Sequence, residues 1–194
     1  MKLTVIGDVH GKAKQYQKIV RRLPEGQPSV QVGDMGVGFP GVGLHKMPEH
    51  HRWFRGNHDN PEKCRNTTNY LGDWGFLPEW SLFWLSGAFS IDREWRTVNV
   101  DWWPDEQLGH EELGRATDAY IAAKPRYVLS HEAPQQVGAI LLAEQIGPYF
   151  AAKAGCVQSR TAQALQSMFE FHKPEEWVFG HYHINKSFDL KGTK

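Results

Sequence analysis

Gly56-Asn57-His58-Asp59 follows the short apolar run Trp53-Phe54, with Arg55 immediately before it. An amide and an imidazole stand side by side where a strand is predicted to end in a loop. The amide oxygen is a neutral hard ligand, and the imidazole can ligate a metal or carry a proton. The tetrapeptide alone decides little. It gains weight because four further clusters of the same chemical kind each follow an apolar run: Asp8-Val9-His10-Gly11, Gly33-Asp34, Ser130-His131-Glu132 and Gly180-His181-Tyr182-His183.

Working outward from it, residues 50–54 read as the strand that delivers the tetrapeptide, and 61–65 as one helical turn with Pro61 at its first position. Upstream, 29–32 is a strand leading into Gly33-Asp34, and 3–6 is a short β-branched strand leading into Asp8. Tyr16, Ile19, Val20 and Leu23 then fall at i, i+3, i+4 and i+7, which predicts an amphipathic helix closed by Pro24. Polar residues at the C-terminal end of such a strand occupy the place where open α/β sheets bind ligands.

Downstream, residues 82–85 and 97–100 predict strands of a second layer. Trp102-Trp103-Pro104 precedes an acidic helix start at Asp105-Glu106, a charge that suits a helix N-terminus, with helix expected to Ala123. A strand over 126–129 ends in Ser130-His131-Glu132. Helices are predicted over 137–145 and 161–171, and Trp177-Val178-Phe179 is the last core strand. Residues 187–190 begin a further strand, and Lys191-Gly192-Thr193-Lys194 reads as a hairpin turn without a partner, which leaves a missing terminal strand open. With no repeat or linker, one domain over 1–194 is expected.

The 194 residues suffice for one well-buried α/β core and are short for two. The formal net charge is zero, so bulk charge demands neither nucleic acid nor membrane as partner. Cys64 and Cys156 form no CxxC and no disulfide framework, which points to a reducing compartment. The apolar start is too short for a signal-peptide core, and no segment approaches the ~20 apolar residues of a membrane span. A cytoplasmic location is expected.

Asp8, His10, Asp34, Asn57, His58, His131, His181 and His183 offer carboxylate, imidazole and amide oxygen without thiolate. That set suits a hard or borderline divalent ion such as Mn, Fe or Zn. The pairs Asp8/His10 and His181/His183 are two residues apart, so in extended chain both members face one side. So many donors exceed one tetrahedral site and suit two ions sharing a carboxylate, about 3.5–4 Å apart. Such a pair supplies hydroxide at neutral pH and neutralises phosphoryl oxygens, an arrangement for cleaving phosphoesters. His45, His50, His51, His110 and His172 lack this context and read as solvated or incidental.

From residue 4 to 183 the ordered motifs resemble those of the calcineurin-like metallophosphoesterases. The resemblance implies that Asp8, His10 and His183 bind one metal, Asn57, His131 and His181 the other, and that Asp34 bridges them. His58 would then be no ligand but the general acid facing the leaving group. The implied fold is α/β, with two mixed β-sheets packed as a sandwich and flanked by helices. The implied activity is hydrolysis of phosphodiesters or phosphomonoesters, nucleotide or phosphoprotein-like, by a metal-bridging hydroxide, with two divalent ions, Mn2+ first and Fe or Zn as alternatives.

Two departures matter. The protein phosphatases of the superfamily extend the second motif to GDxVDRG, whereas here Val37 replaces the aspartate that pairs with the catalytic histidine and Gly38 the phosphate-binding arginine. Arg55 matches the arginine of RGNHE and is the expected phosphate clamp. A dedicated protein phosphatase is disfavoured. Arg93, Trp102, Trp103 and the 36–51 loop could flank the site. The competing readings are a non-catalytic scaffold on the same fold, which would show eroded ligands, and a nuclease, which the zero net charge disfavours. The expected partner is a phosphorylated small molecule or nucleotide; the sequence is silent on oligomeric state.

Overall fold

A computed structural model describes residues 2–42, 47–147, 158–187, 189–190 and 192–194. The chain folds into two β-sheets flanked by helices, the α/β architecture expected. One sheet is parallel, in the order β1 (Thr4–Ile6), β2 (Ser29–Val32), β3 (His51–Phe54). The other is mixed: β4 (Trp74–Leu77) runs antiparallel to β5 (Leu82–Leu85), and β6 (Tyr127–Ser130) and β7 (Glu176–Phe179) continue it in parallel.

Period-two side-chain alternation explains why the apolar strands can be buried on both faces. Val30 and Val32 of β2 and Phe54 of β3 meet Leu82, Trp84 and Leu129 between the sheets. The intervening residues of β5 and β6, Phe83, Leu85 and Val128, face the opposite way. They pack under α3 (His110–Ala123) and α5 (Arg160–Phe171) with Leu113, Tyr120, Leu165 and Met168. On the outer face of the parallel sheet, Trp53 packs with Tyr16 and Val20 of α1 (Ala13–Val20) and Cys64 of α2 (Pro61–Arg65). α4 (Gln135–Ile146) buries Val137, Leu141 and Leu142 against Tyr182.

Four local expectations need correction. Residues 97–100 form a turn rather than a strand: Asp101 caps Thr97 N through Oδ1 at 2.6 Å, and Val98 and Val100 stay half exposed. The helix expected from Asp105-Glu106 starts at His110, because the Glu106 carboxylate is turned inward and buried. Among the described residues of 187–190, Leu190 forms an isolated bridge with Thr193 rather than part of a ladder, and Phe188 and Lys191 lie outside the described residues. His51 is neither solvated nor incidental. It is fully buried, its Nε2 bonded to the Tyr16 hydroxyl and its Nδ1 2.8 Å from Ser29 Oγ. His45 and Cys156 lie outside the described residues. No helix among the described residues is long and apolar enough to cross a membrane.

Candidate metal centre

The parallel strands of both sheets end on one side of the sandwich, and the polar clusters follow directly from those ends. Asp8 comes after β1, Asp34 after β2, Asn57 after β3, His131 after β6 and His181 after β7. The His131 ring joins the two sheets: its Nδ1 donates to the carbonyl of Val32, the last residue of β2, at 2.8 Å. Four of the clustered residues, His10, Asp34, His181 and His183, have φ values of 45°, 57°, 70° and 53°. Non-glycine residues rarely occupy this left-handed region, and such strain concentrates at functional sites. Two glycines make the close approach possible. A Cβ on Gly56 would collide with the Asp34 carboxylate and the His131 ring, and one on Gly180 with the Asp8 carboxylate.

Asp8, His10, Asp34 and His183 present ligand atoms that all lie within 4.8 Å of one another. His10 Nε2 is 2.8 Å from His183 Nε2, 3.6 Å from Asp8 Oδ2 and 3.7 Å from Asp34 Oδ2, and His183 Nε2 is 3.1 Å from Asp8 Oδ2. Two imidazole nitrogens aimed at each other across a pair of carboxylates are lone pairs and charges converging on one point. A second group adjoins it. Asn57 Oδ1 lies 3.0 Å from His131 Nε2, which is 3.3 Å from Asp34 Oδ1, and the His181 ring stands 5.3 Å from that of His131.

The electrostatics follow from this crowding. Burial works to raise the Asp34 carboxyl, but His131, His58 and His10 around it hold it far below the usual carboxylate range. Burial likewise works against the charged form of His131, yet Asp34, and Asp8 behind it, push that imidazole up to about 10. The site's field favours a cation, and it raises the imidazoles of His131 and His10 toward their protonated forms.

Surrounding residues orient these donors. Because His131 Nδ1–H is committed to Val32, its Nε2 is left as the ring atom able to ligate. Asn57 Nδ2 donates to Ser90 Oγ at 2.9 Å, which turns Oδ1 toward the site. Ser90 is held in turn by the Glu106 carboxylate, through its N at 3.0 Å and its Oγ at 2.5 Å. Buried Glu132 accepts from Tyr182 Oη at 2.6 Å and Ser159 Oγ at 3.2 Å, and its Oε2 faces His181 Nε2 at 3.9 Å. Asp59 ties two motifs together, accepting from the backbone N–H of Met35, Gly36, Val37 and Gly56 at 2.7–3.1 Å. Ser90 carries no signal in the sequence, Glu106 reads there as the acid of a helix start and Glu132 only as a neighbour of His131; their part stands out only once the fold brings them to Asn57 and His181.

His58 stands beside the centre with Nε2 3.9 Å from Asp34 Oδ2. Burial pushes it down to about 4; Asp34 opposes this and Arg96 adds to it. Arg55 contradicts expectation. Its side chain is 1% exposed, with Nε on Asp73 Oδ1 at 2.6 Å and Nη1 on the Glu106 carbonyl at 2.6 Å, so it cannot clamp a phosphate. The guanidinium that does reach the centre is Arg96, whose Nη2 lies 3.4 Å from His58 Nε2. Arg93 instead stacks over Phe89, 4.7 Å from the ring centroid. Trp103 is buried, stacked at 6.4 Å on Phe39, which in turn faces His58 at 6.4 Å.

The residues present fit a divalent cation. Asp34 Oδ2 is buried without a hydrogen-bond partner, and carboxylates, imidazoles and an amide oxygen form a hard-to-borderline donor set. A search of curated proteins finds none that matches. The family model described as calcineurin-like phosphoesterase, however, matches residues 1–185, a span that holds every residue of both donor groups. The chain therefore belongs to the calcineurin-like phosphoesterase family.

Proposed function

We propose that the chain is a phosphoesterase that uses two divalent metal ions to hydrolyse a phosphodiester or phosphomonoester of a small molecule or nucleotide, from a single domain over residues 1–194. The observation that carries this reading is the Asp34 carboxylate. Its Oδ1 is 3.3 Å from His131 Nε2, and its Oδ2, without a hydrogen-bond partner, is 3.7 Å from His10 Nε2. One carboxylate thus stands between two donor groups. Asp8, His10 and His183 would hold one ion and Asn57, His131 and His181 the other, with Asp34 shared. When bound, such ions lower the pKa of water and neutralise charge on phosphoryl oxygens. Mn2+ suits this oxygen-and-imidazole set, with Fe or Zn as alternatives.

The remaining chemistry belongs to the chain. Val32, Ser90 and Glu132 keep the donor atoms aimed without reorganisation during turnover. His58 is the proton donor: its Nε2 faces the Asp34 side of the site, and its side chain is only 13% exposed. In the resting site its imidazole is neutral, and an anionic ester brings the negative charge that favours the protonated ring. From there Nε2–H passes to the departing alkoxide.

The test is hydrolysis by Mn-loaded wild type and His58→Ala across esters with graded leaving groups. General-acid catalysis contributes about 10²–10⁴-fold. The loss in His58→Ala should therefore be largest for alkoxide leaving groups and shrink toward p-nitrophenolate, which needs no proton. An equal loss on all esters contradicts the acid role, and a wild type that hydrolyses none contradicts the function.

A further inference from the structure

We propose that Arg96 is the group that binds the substrate's phosphoryl oxygens, supplied by the 90–96 segment in place of Arg55. The inference deepens the phosphoesterase reading and rests on it. A phosphoryl group is recognised best by a guanidinium whose donors lie in one plane and are open to the ligand. Arg55 presents none to the centre, since its side chain is 1% exposed and its Nε and Nη1 serve Asp73 and the Glu106 carbonyl inside the fold.

Arg96 offers both charge and position. Its Nε and Nη2 hold the Asp92 carboxylate at 2.7 and 2.6 Å, which fixes the plane of the guanidinium. The Arg96 side chain is 20% exposed and that of Asp92 40%, so this pair meets solvent rather than being sealed in the core. Nη2 also points at His58 Nε2, and Nη1 makes only a 3.3 Å contact with the Asp101 carbonyl. A guanidinium carries five N–H groups and these contacts use four of them, so Nη1 keeps a hydrogen for a ligand, and the contacts to His58 and Asp101 are long enough to exchange for phosphoryl oxygens. The position is tied to the centre, because Ser90, at the start of the segment, also holds Asn57. A phosphoryl group bound beside His58 would therefore meet Arg96, whose Nη2 is 3.4 Å from His58 Nε2.

A loop staple is the plainer role for Arg96, and it predicts a different result. The binding of inorganic phosphate to Mn-loaded protein is measured by calorimetry, with bound Mn counted in each variant. Arg96→Ala should weaken phosphate at least 10-fold at unchanged metal content. Arg96→Lys, which keeps the charge but not the fork, should recover part of the loss and serves also if the alanine variant does not fold. Arg93→Ala should change phosphate affinity less than twofold. Wild-type phosphate affinity in Arg96→Ala, an equal loss in Arg93→Ala, or a wild type that binds no phosphate overturns the proposal. If wild type binds phosphate through Arg96 yet hydrolyses no ester, the anion site stands and the hydrolase reading falls.

Discussion

Asn57 Nδ2 donates to Ser90 Oγ at 2.9 Å across 33 residues of sequence, and this bond decides which end of the amide faces the centre. Without it, the amide could present Nδ2, a donor, where a ligand oxygen is required.

Ser90→Ala should therefore lower the affinity of one ion and leave the other near wild type. Losses of 10–100-fold are typical when a residue orienting a ligand is removed. Mn titration with two resolved binding steps reads this directly; equal weakening of both steps would show that Ser90 does not act through Asn57.

Glu132→Gln keeps the size of a buried side chain but removes the carboxylate 3.9 Å from His181 Nε2. The same titration should show a loss of similar size in the step that depends on His181, with the Asp8–His10–His183 step preserved. An unchanged titration would make Glu132 a packing residue only.

Arg55 is a support rather than a clamp. Its guanidinium pairs with Asp73, which also receives Arg65 at 2.9 Å and Tyr70 Oη at 2.5 Å. Arg55→Ala would leave Asp73 largely buried without its main partner; an uncompensated buried charge costs about 3–5 kcal/mol, and since Arg65 and Tyr70 remain on Asp73 the loss should be smaller than that. Denaturant unfolding should show that loss. Wild-type stability with a raised KM would restore Arg55 as a substrate ligand.

His51 predicts a pH effect on stability. Burial, then the charges of His50 and Arg52, hold it at about 4, against 6.5 for an ordinary histidine. Between those values the unfolded chain binds a proton that the folded one does not, so stability falls as pH drops from about 6.5 toward 4. The full effect of this group is about 3 kcal/mol. His51→Gln should flatten that part of the profile, and an unchanged slope would assign it to other groups.

The sequence made legible what is local. Asp8-x-His10, Asn57-His58 and His181-x-His183 each follow a strand end, and their chemistry can be read from adjacent residues. What escaped depends on distant pairing. Glu106 looked like the acid of a helix N-terminus, but Ser90 draws it inward and leaves Glu111 and Glu112 in the first turn of α3. Arg55 shares a motif with its neighbours, yet Asp73, 18 residues on, turns it away from the site. His51 lacked glycines and strand-end polar neighbours, and only the packing of α1 on the sheet reveals Tyr16 beside it. Residues 97–100 alternate as a strand would, but Asp101 caps them into a turn.

On the proposed function, Asp34 is the carboxylate shared by two ions. Metal counting on Mn-saturated protein after removal of loosely held ions tests it most directly. Two Mn per chain in wild type, falling to one or none in Asp34→Asn with the fold intact by circular dichroism, is the expected result. A wild type that holds no Mn, or an Asp34→Asn variant that still holds two, would contradict it.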